Sequence, residues 1–533
     1  MMISRRWRPF LGAAATLCLL ACLVPPAAAQ PDEADGPIVT TEYGKVRGTW
    51  QGATAVFQGI PYAAPPTGKL RWRKPARPQP WEGVRDATKP PPACPQHPGE
   101  VPEGSKSEDC LYLTVTTPVK RSAKPRAVLV WVHGGGFFMG TGSNYDAKRL
   151  AARGDIVVVT VNYRLGVFGF FAHPGLAGSG TFGLQDQQAA LKWVRRNIAA
   201  FGGDPRNVTV AGQSAGAMSV CAQLTSPSAR GLFDKAIMQS GSCGYRWRDN
   251  YHYRNEQASS IFQPVDVMRQ RGAATAAQLG CEGDPRTVLE CLRKLPVDRL
   301  MSVQQHFIQP AYGTATLPVE PEQAIRKGLF NRVPVLSGST KDEATSWTSV
   351  YDAGKPMSET TYRTVLQETF GGDADTISER YPLQDYPTPA NAWAAIVTDD
   401  SWACSQYRIT RRLAERVPVY HYEFADPSPP PLGPEPGIPT GAQHASELWY
   451  FFDLLGMAPP LTEDQRKLAE QMIDYWASFV TSGAPDATAG SVPWPRMRPG
   501  QSTGTQQLAP GSGQIHQIDF AAAHQCGFWS QLP

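Results

Sequence analysis

Six short stretches rich in apolar, β-branched residues recur along the chain, at 127–132, 156–161, 208–211, 236–238, 333–336 and 417–424. Their nearly continuous apolar character reads as strands buried on both faces, which is the pattern of a parallel sheet covered by other elements. Between several of them lie segments with helical apolar spacing, at 184–201, 219–224 and 468–479. Strands separated by helices imply a mostly parallel sheet with helices on both faces. Residues 251–329 break this rhythm, and the Pro-rich stretch 427–439 reads as a long loop. The 533 residues would suggest about three domains on length alone. No repeat, low-complexity block or linker divides them, so residues 30–533 are read as one α/β domain with a large central sheet and long insertions.

The N-terminus is different in kind. Arg5, Arg6 and Arg8 precede an apolar run at 11–24 and an Ala27-Ala28-Ala29 sequence, the layout of an export signal over residues 1–29. The Arg5-Arg6 pair is similar to a twin-arginine signal, and Leu19-Leu20-Ala21-Cys22 offers an alternative, a lipoprotein anchored through Cys22. The apolar run is short for a membrane span, and no other segment reads as one. Removing the signal takes Arg5, Arg6 and Arg8 from the 51 Lys and Arg, leaving 48 against 47 Asp and Glu. That balance argues against a basic nucleic-acid-binding surface.

Eight cysteines remain outside the signal: 94, 110, 221, 243, 281, 291, 404 and 526. An even number in an exported chain favours disulfides, and the short separations of Cys94 from Cys110 and of Cys281 from Cys291 suit local loops. No Cys-x-x-Cys pair or His-rich cluster points to a metal site, and no metal or other cofactor is expected.

Chemistry concentrates where the run at 208–211 enters Gly212-Gln213-Ser214-Ala215-Gly216 and then a helical pattern. Strand, tight G-x-S-x-G turn and helix together hold a serine hydroxyl out over the end of a sheet, which makes Ser214 a nucleophile candidate. Upstream, the strand at 127–132 runs into His133-Gly134-Gly135-Gly136. Glycines leave backbone N–H groups unobstructed, as stabilising an oxyanion requires. A base is needed as well, and six histidines follow Ser214: His252, His306, His421, His444, His516 and His524. His421 lies within a strand-like alternation and reads as structural. For the orienting acid, Asp342 and Glu343 follow the strand at 333–336 and emerge at its C-terminal end, where sites gather in open α/β sheets. The residues by themselves do not choose between the two.

Several short motifs then recur in one order: Phe57-Gln58-Gly59-Ile60-Pro61-Tyr62-Ala63, Ser107-Glu108-Asp109-Cys110-Leu111-Tyr112-Leu113, the HGGG run, Asn162-Tyr163-Arg164-Leu165-Gly166, Phe201-Gly202-Gly203-Asp204-Pro205 and the serine turn. With these the chain resembles the type-B carboxylesterases, the carboxylesterase and cholinesterase branch of the α/β-hydrolases, from about residue 39 to the C-terminus. The resemblance implies a secreted ester hydrolase with Ser214 as nucleophile, His444 as base, Glu343 as acid, and the N–H groups of Gly135, Gly136 and Ala215 as the oxyanion hole. Ala344 stands where the family usually has glycine, and Asp342 is then expected to cap a helix. The substrate implied is a small-molecule or lipid ester. The resemblance pairs Cys94 with Cys110, Cys281 with Cys291 and Cys404 with Cys526. It supplies no precedent for Cys221 and Cys243, which stay open between a fourth bridge and two buried thiols. It also places salt bridges between Arg71 and Glu108 and between Arg164 and Asp186, and puts Trp247 at the acyl pocket, with a core tryptophan as the equal alternative. Two departures argue against a choline ester: residues 95–109 hold no Trp, Tyr or Phe, and neutral Gln213 replaces the Glu that cholinesterases carry before the serine. Relatives that have lost the serine serve in adhesion, so a binding module is the alternative from another class.

Overall fold

In the computed structural model, residues 36–433, 437–486, 491–499 and 504–532 are described. Residues 1–29, read above as an export signal, and Cys22 within them lie outside the described residues. Eleven strands form the main sheet: β1 Thr49–Gln51, β2 Thr54–Pro61, β3 Tyr112–Pro118, β4 Arg126–Val132, β5 Val157–Val161, β6 Gly203–Gln213, β7 Lys235–Gln239, β8 Val335–Thr340, β9 Val419–Phe424, β10 Thr505–Leu508 and β11 His516–Ile518. Their spatial order is β11-β10-β9-β8-β7-β6-β4-β5-β3-β2-β1. Neighbours from β5 to β10 pair parallel, while β1 to β3 and β11 pair antiparallel at the two edges.

All six strands read from the apolar runs lie in the parallel centre, because only a strand covered on both faces is apolar along its whole length. Arg126–Val132 and Val157–Val161 are buried at every position. The five edge strands were not anticipated. Tyr112–Pro118 is rich in threonine and Thr505–Leu508 carries Gln506 and Gln507, so neither shows a long apolar run.

Three helices cover the faces near the site: α1 Phe182–Asn197, α2 Ala215–Thr225 and α3 Glu463–Ser482. The helical stretches expected at 184–201, 219–224 and 468–479 are parts of these, the first ending in a 3₁₀ turn at Ile198–Phe201. The last begins with a capping box between Thr462 and Gln465 and stops at left-handed Gly483. The irregular stretch at 251–329 contains short helices, among them Val265–Gln278 and Pro285–Lys294. No helix among the described residues is long and apolar enough to cross a membrane.

Disulfides join Cys94 to Cys110, Cys221 to Cys243, Cys281 to Cys291 and Cys404 to Cys526. The fourth pair, left open by the sequence, ties the helix after the serine to the loop following β7. Buried ion pairs brace the same region. Arg164 meets Asp186 through two side-chain hydrogen bonds of 2.7 Å, and Arg71 Nε donates to Glu108 at 2.7 Å.

The C-terminal segment is anchored by charge as well as by Cys526. His524 is buried between two carboxylates, with Nδ1 2.5 Å from Asp399 Oδ1 and Nε2 2.6 Å from Glu423 Oε1 at the end of β9. Burial alone would lower its pKa, but Asp399 and Glu423 outweigh that and hold it at about 10, so the imidazolium persists above neutrality. A histidine raised from 6.5 contributes stability that is complete below pH 6.5 and disappears as pH climbs towards 10. His524→Gln should therefore cost about 3–5 kcal/mol at pH 6.5 by leaving buried carboxylates unpaired. Thermal unfolding of both proteins from pH 6.5 to 10 should show the gap in melting temperature narrowing as pH rises. A constant gap would contradict the charged assignment.

Candidate active site

Serine 214 stands one residue past β6, and its conformation is forced by what surrounds it. At φ 56° and ψ −126° it occupies a strained region that side-chain-bearing residues rarely adopt. The chain reverses there from strand to α2 with almost no clearance. A Cβ on Gly212 would lie 2.5 Å from the Gly216 carbonyl carbon, and one on Gly216 would collide with the Val132 carbonyl oxygen of β4. The Ser214 N–H donates to Gln239 O at the end of β7, at 2.9 Å. Held on both sides, the serine is left facing a cavity.

That cavity, of about 750 Å³, is lined by Ser214, His444, Gly135, Gly136, Ala215 and Trp247 among others. Gly135 and Gly136 have φ of 95° and 58°, and a Cβ on Gly135 would strike the Met139 carbonyl. Their N–H groups donate to no backbone acceptor among the described residues, and that of Ala215 opens α2. All three residues line the same cavity as Ser214.

His444 arrives from the other end of the chain. Its Nδ1 lies 2.5 Å from Glu343 Oε2, and its backbone N–H donates to Glu343 O. Glu343 is completely buried, and its second oxygen accepts the Thr340 N–H at 3.0 Å. The carboxylate is therefore fixed at both oxygens, with one turned towards the ring. Ala344 has a negative φ of −85°, so the glycine usual at that position is not needed here. Ala445, by contrast, is left-handed at φ 68°, a local strain next to the histidine. Trp402 and Trp347 pack on the His444 ring at centroid distances of 4.7 and 5.2 Å.

The neighbouring Asp342 is no helix cap: the cap position of the following helix falls on Ala344. Asp342 instead accepts the Ala442 N–H at 2.9 Å and donates its own N–H to Ala442 O, clamping the loop that delivers His444. Burial raises its carboxyl pKa. His421 is fully buried in β9 against Thr505, and burial followed by the charge of His524 lowers its pKa to about 3, so it stays neutral. Trp247 sits half-buried on the cavity wall, with its indole N–H donating to Gln257 O.

On its cavity side, His444 Nε2 meets the Gln213 side-chain amide at 3.1 Å, and among the described residues no hydrogen bond joins it to Ser214 Oγ. With Nδ1–H given to Glu343, Nε2 carries the lone pair, and the amide N–H is its donor. The sequence offered Gln213 only as a missing charge; its contact with His444 needed the fold.

A model of the family described as "Carboxylesterase family" matches residues 35–529. The chain belongs to the carboxylesterase family. It is 37% identical over 476 residues to the para-nitrobenzyl esterase of Bacillus subtilis, covering 86% of this chain and 92% of that protein. With the fumonisin B1 esterase of Sphingopyxis macrogoltabida the identity is 36%, over 92% and 89%. With human cocaine esterase it is 32%, over 94% and 92%. A solved structure of PNB esterase superposes with a TM-score of 0.73 at 35% identity, covering 90% of this chain and 97% of that one. The protein is a carboxylic ester hydrolase with the α/β-hydrolase fold.

Behind the histidine of this esterase lies a second buried carboxylate, Glu447. Gln239 Nε2 donates to its Oε1 at 3.3 Å, and Trp476 in turn donates to Gln239, while Oε2 has no partner among the described residues. Burial, reinforced by the charge of Glu343, pushes its pKa to about 7. An acid raised from 4.5 loses stability for the fold as pH climbs from 4.5 to about 7, because the unfolded chain ionises first. Glu447→Gln keeps the acceptor for Gln239 and removes that loss. Its melting temperature relative to the parent should rise between pH 4.5 and 8, by an equivalent on the order of 3 kcal/mol. An unchanging difference across that range would show that Glu447 ionises normally.

Proposed function

We propose that this esterase works through Ser214, His444 and Glu343 by an acyl-enzyme mechanism. The observation that carries the reading is the 2.5 Å contact of Glu343 with His444 Nδ1, which leaves Nε2 as the acceptor at a cavity that Ser214 also lines. When an ester enters, the Ser214 hydroxyl takes over Nε2 from the Gln213 amide. His444 removes its proton as Oγ attacks the carbonyl carbon, and Glu343 stabilises the imidazolium that forms. The N–H groups of Gly135, Gly136 and Ala215 receive the oxyanion. The imidazolium then protonates the departing alcohol, and a water deprotonated by the same ring releases the acid.

The relatives act, by their names, on para-nitrobenzyl, fumonisin B1 and cocaine substrates. We read this chain likewise as an esterase for organic esters, with Trp247 on the acyl side. Export through the segment at 1–29 is supported by the four disulfides.

A panel of p-nitrophenyl esters of rising chain length tests the reaction. Ser214→Ala and His444→Ala should each cost nearly as much kcat as the double variant. Glu343→Gln should lower kcat about 10⁴-fold by presenting the wrong tautomer, whereas Asp342→Asn should act mainly on stability. Full activity in Ser214→Ala would end the proposal. A severe loss in Asp342→Asn with a mild one in Glu343→Gln would reassign the acid alone.

A further inference from the structure

The catalytic cavity is charged on one side of the scale only. Among its described lining residues there is no lysine or arginine, while two glutamates, Glu100 and Glu256, reach it from different segments. They are not equivalent. Glu256 is already satisfied: its Oε1 lies 2.9 Å from His252 Nδ1, and its Oε2 accepts the His252 backbone N–H at 2.8 Å. The Glu100 carboxylate forms no hydrogen bond or ion pair with any described residue.

The position of Glu100 is fixed through its backbone. It lies in the loop closed by Cys94 and Cys110, and its carbonyl accepts Asn144 Nδ2 at 3.0 Å. Asn144 O in turn accepts the Leu455 N–H at 3.0 Å. Glu100 is thereby set into the wall made by the segment following His444, together with Tyr145, Leu448, Leu454 and Leu455. In the proposed mechanism His444 hands its proton to the departing alcohol, so the wall beside that ring faces the alcohol half of the ester. Resting on that mechanism, we propose that Glu100 makes the alcohol side of the cavity a subsite for a protonated amine, so that the preferred substrates are esters of amino alcohols.

The electrostatics agree with this geometry. Burial raises the Glu100 pKa, an effect that the electrostatic influence of His444 partly offsets. Tyr145 has its own pKa raised by burial and then by Glu100. An unpaired carboxylate in a partly desolvated wall carries a cost that an incoming ammonium group offsets. An N–H on that group adds a charge-assisted hydrogen bond that a quaternary ammonium lacks. This fits the missing aromatic residue in the 95–109 loop: the recognition is by carboxylate and N–H, and cation–π contact with that loop plays no part. An anionic alcohol is excluded by the same group, since no lysine or arginine among the described residues lines the wall to receive it.

Two butanoate esters of the same shape test the proposal, 2-(dimethylamino)ethyl butanoate, protonated at pH 7, and its uncharged counterpart 3-methylbutyl butanoate. In the parent enzyme kcat/KM should favour the amine by about 10- to 100-fold, the range of a hydrogen bond to a charged group. Glu100→Gln should bring that ratio close to one, and Glu100→Lys should take it below one. Titration of Ser214 with an organophosphate counts competent sites, so the ratios are compared per folded enzyme. A parent ratio near one, or a ratio that Glu100→Gln leaves unchanged, overturns the subsite. Equal losses on both esters also overturn it, because a purely structural role for Glu100 would spare the ratio. p-Nitrophenyl butanoate separates this from the mechanism itself: parent turnover of that ester that depends on Ser214 keeps the esterase reading whatever the ratio shows.

Discussion

The arrangement depends first on a steric fact, the absence of side chains where α2 starts against β4. Gly212 and Gly216 face each other across the turn, and the Val132 carbonyl fills the space a Cβ would need. This contact holds Ser214 in a conformation that costs on the order of 1–3 kcal/mol. It is sustained because β6 is hydrogen-bonded on both sides in the middle of the sheet, to β4 and to β7. The same contact places Gly135 and Gly136, which continue β4, beside the start of α2. Ser214 and the glycine backbone that the proposed mechanism uses are therefore set by one packing contact.

Around that centre, four carboxylates of similar intrinsic acidity have four different fates. Glu343 is fixed by the Thr340 N–H and the His444 ring. Asp342, its neighbour in sequence, is turned away to hold the Ala442 backbone. Glu447 is walled in with one oxygen unpartnered among the described residues, and burial and Glu343 suppress its charge near neutrality. Glu100, at the cavity wall, has a side chain with no partner among the described residues. Hydrogen-bond supply and solvent access set these differences, so carboxylates of nearly equal intrinsic acidity behave differently within a single site.

The two halves of the site rest on different kinds of support. The serine side stands on regular elements, β4, β6, β7 and α2. The histidine side hangs on a loop held by backbone contacts to Asp342 and Glu343, with Ala445 strained and two tryptophans against the ring. Braces lie under both: the Cys221–Cys243 bridge beneath the serine helix, and the His524 charge cluster behind the strand that leads towards the histidine loop.

The sequence by itself determined the features that local physics dictates. A strand covered on both faces has to be apolar throughout, so the six central strands were legible, whereas Tyr112–Pro118 and Thr505–Leu508 at the sheet edges were not. A turn too tight for side chains has to be glycine, so Ser214 and the HGGG run were visible as chemistry. Choosing Glu343 over Asp342, and His444 over five other histidines, needed a family resemblance, because nothing within a few residues of either distinguishes it. Tertiary structure decides such matters: Glu343 and His444 are 101 residues apart. The same holds for Gln213 reaching the histidine, for Asp342 leaving the helix start to clamp Ala442, for Cys221 meeting Cys243, and for Glu100 reaching the cavity wall. Each depends on which distant segments the sheet brings together, and that is a property of packing that no local pattern encodes.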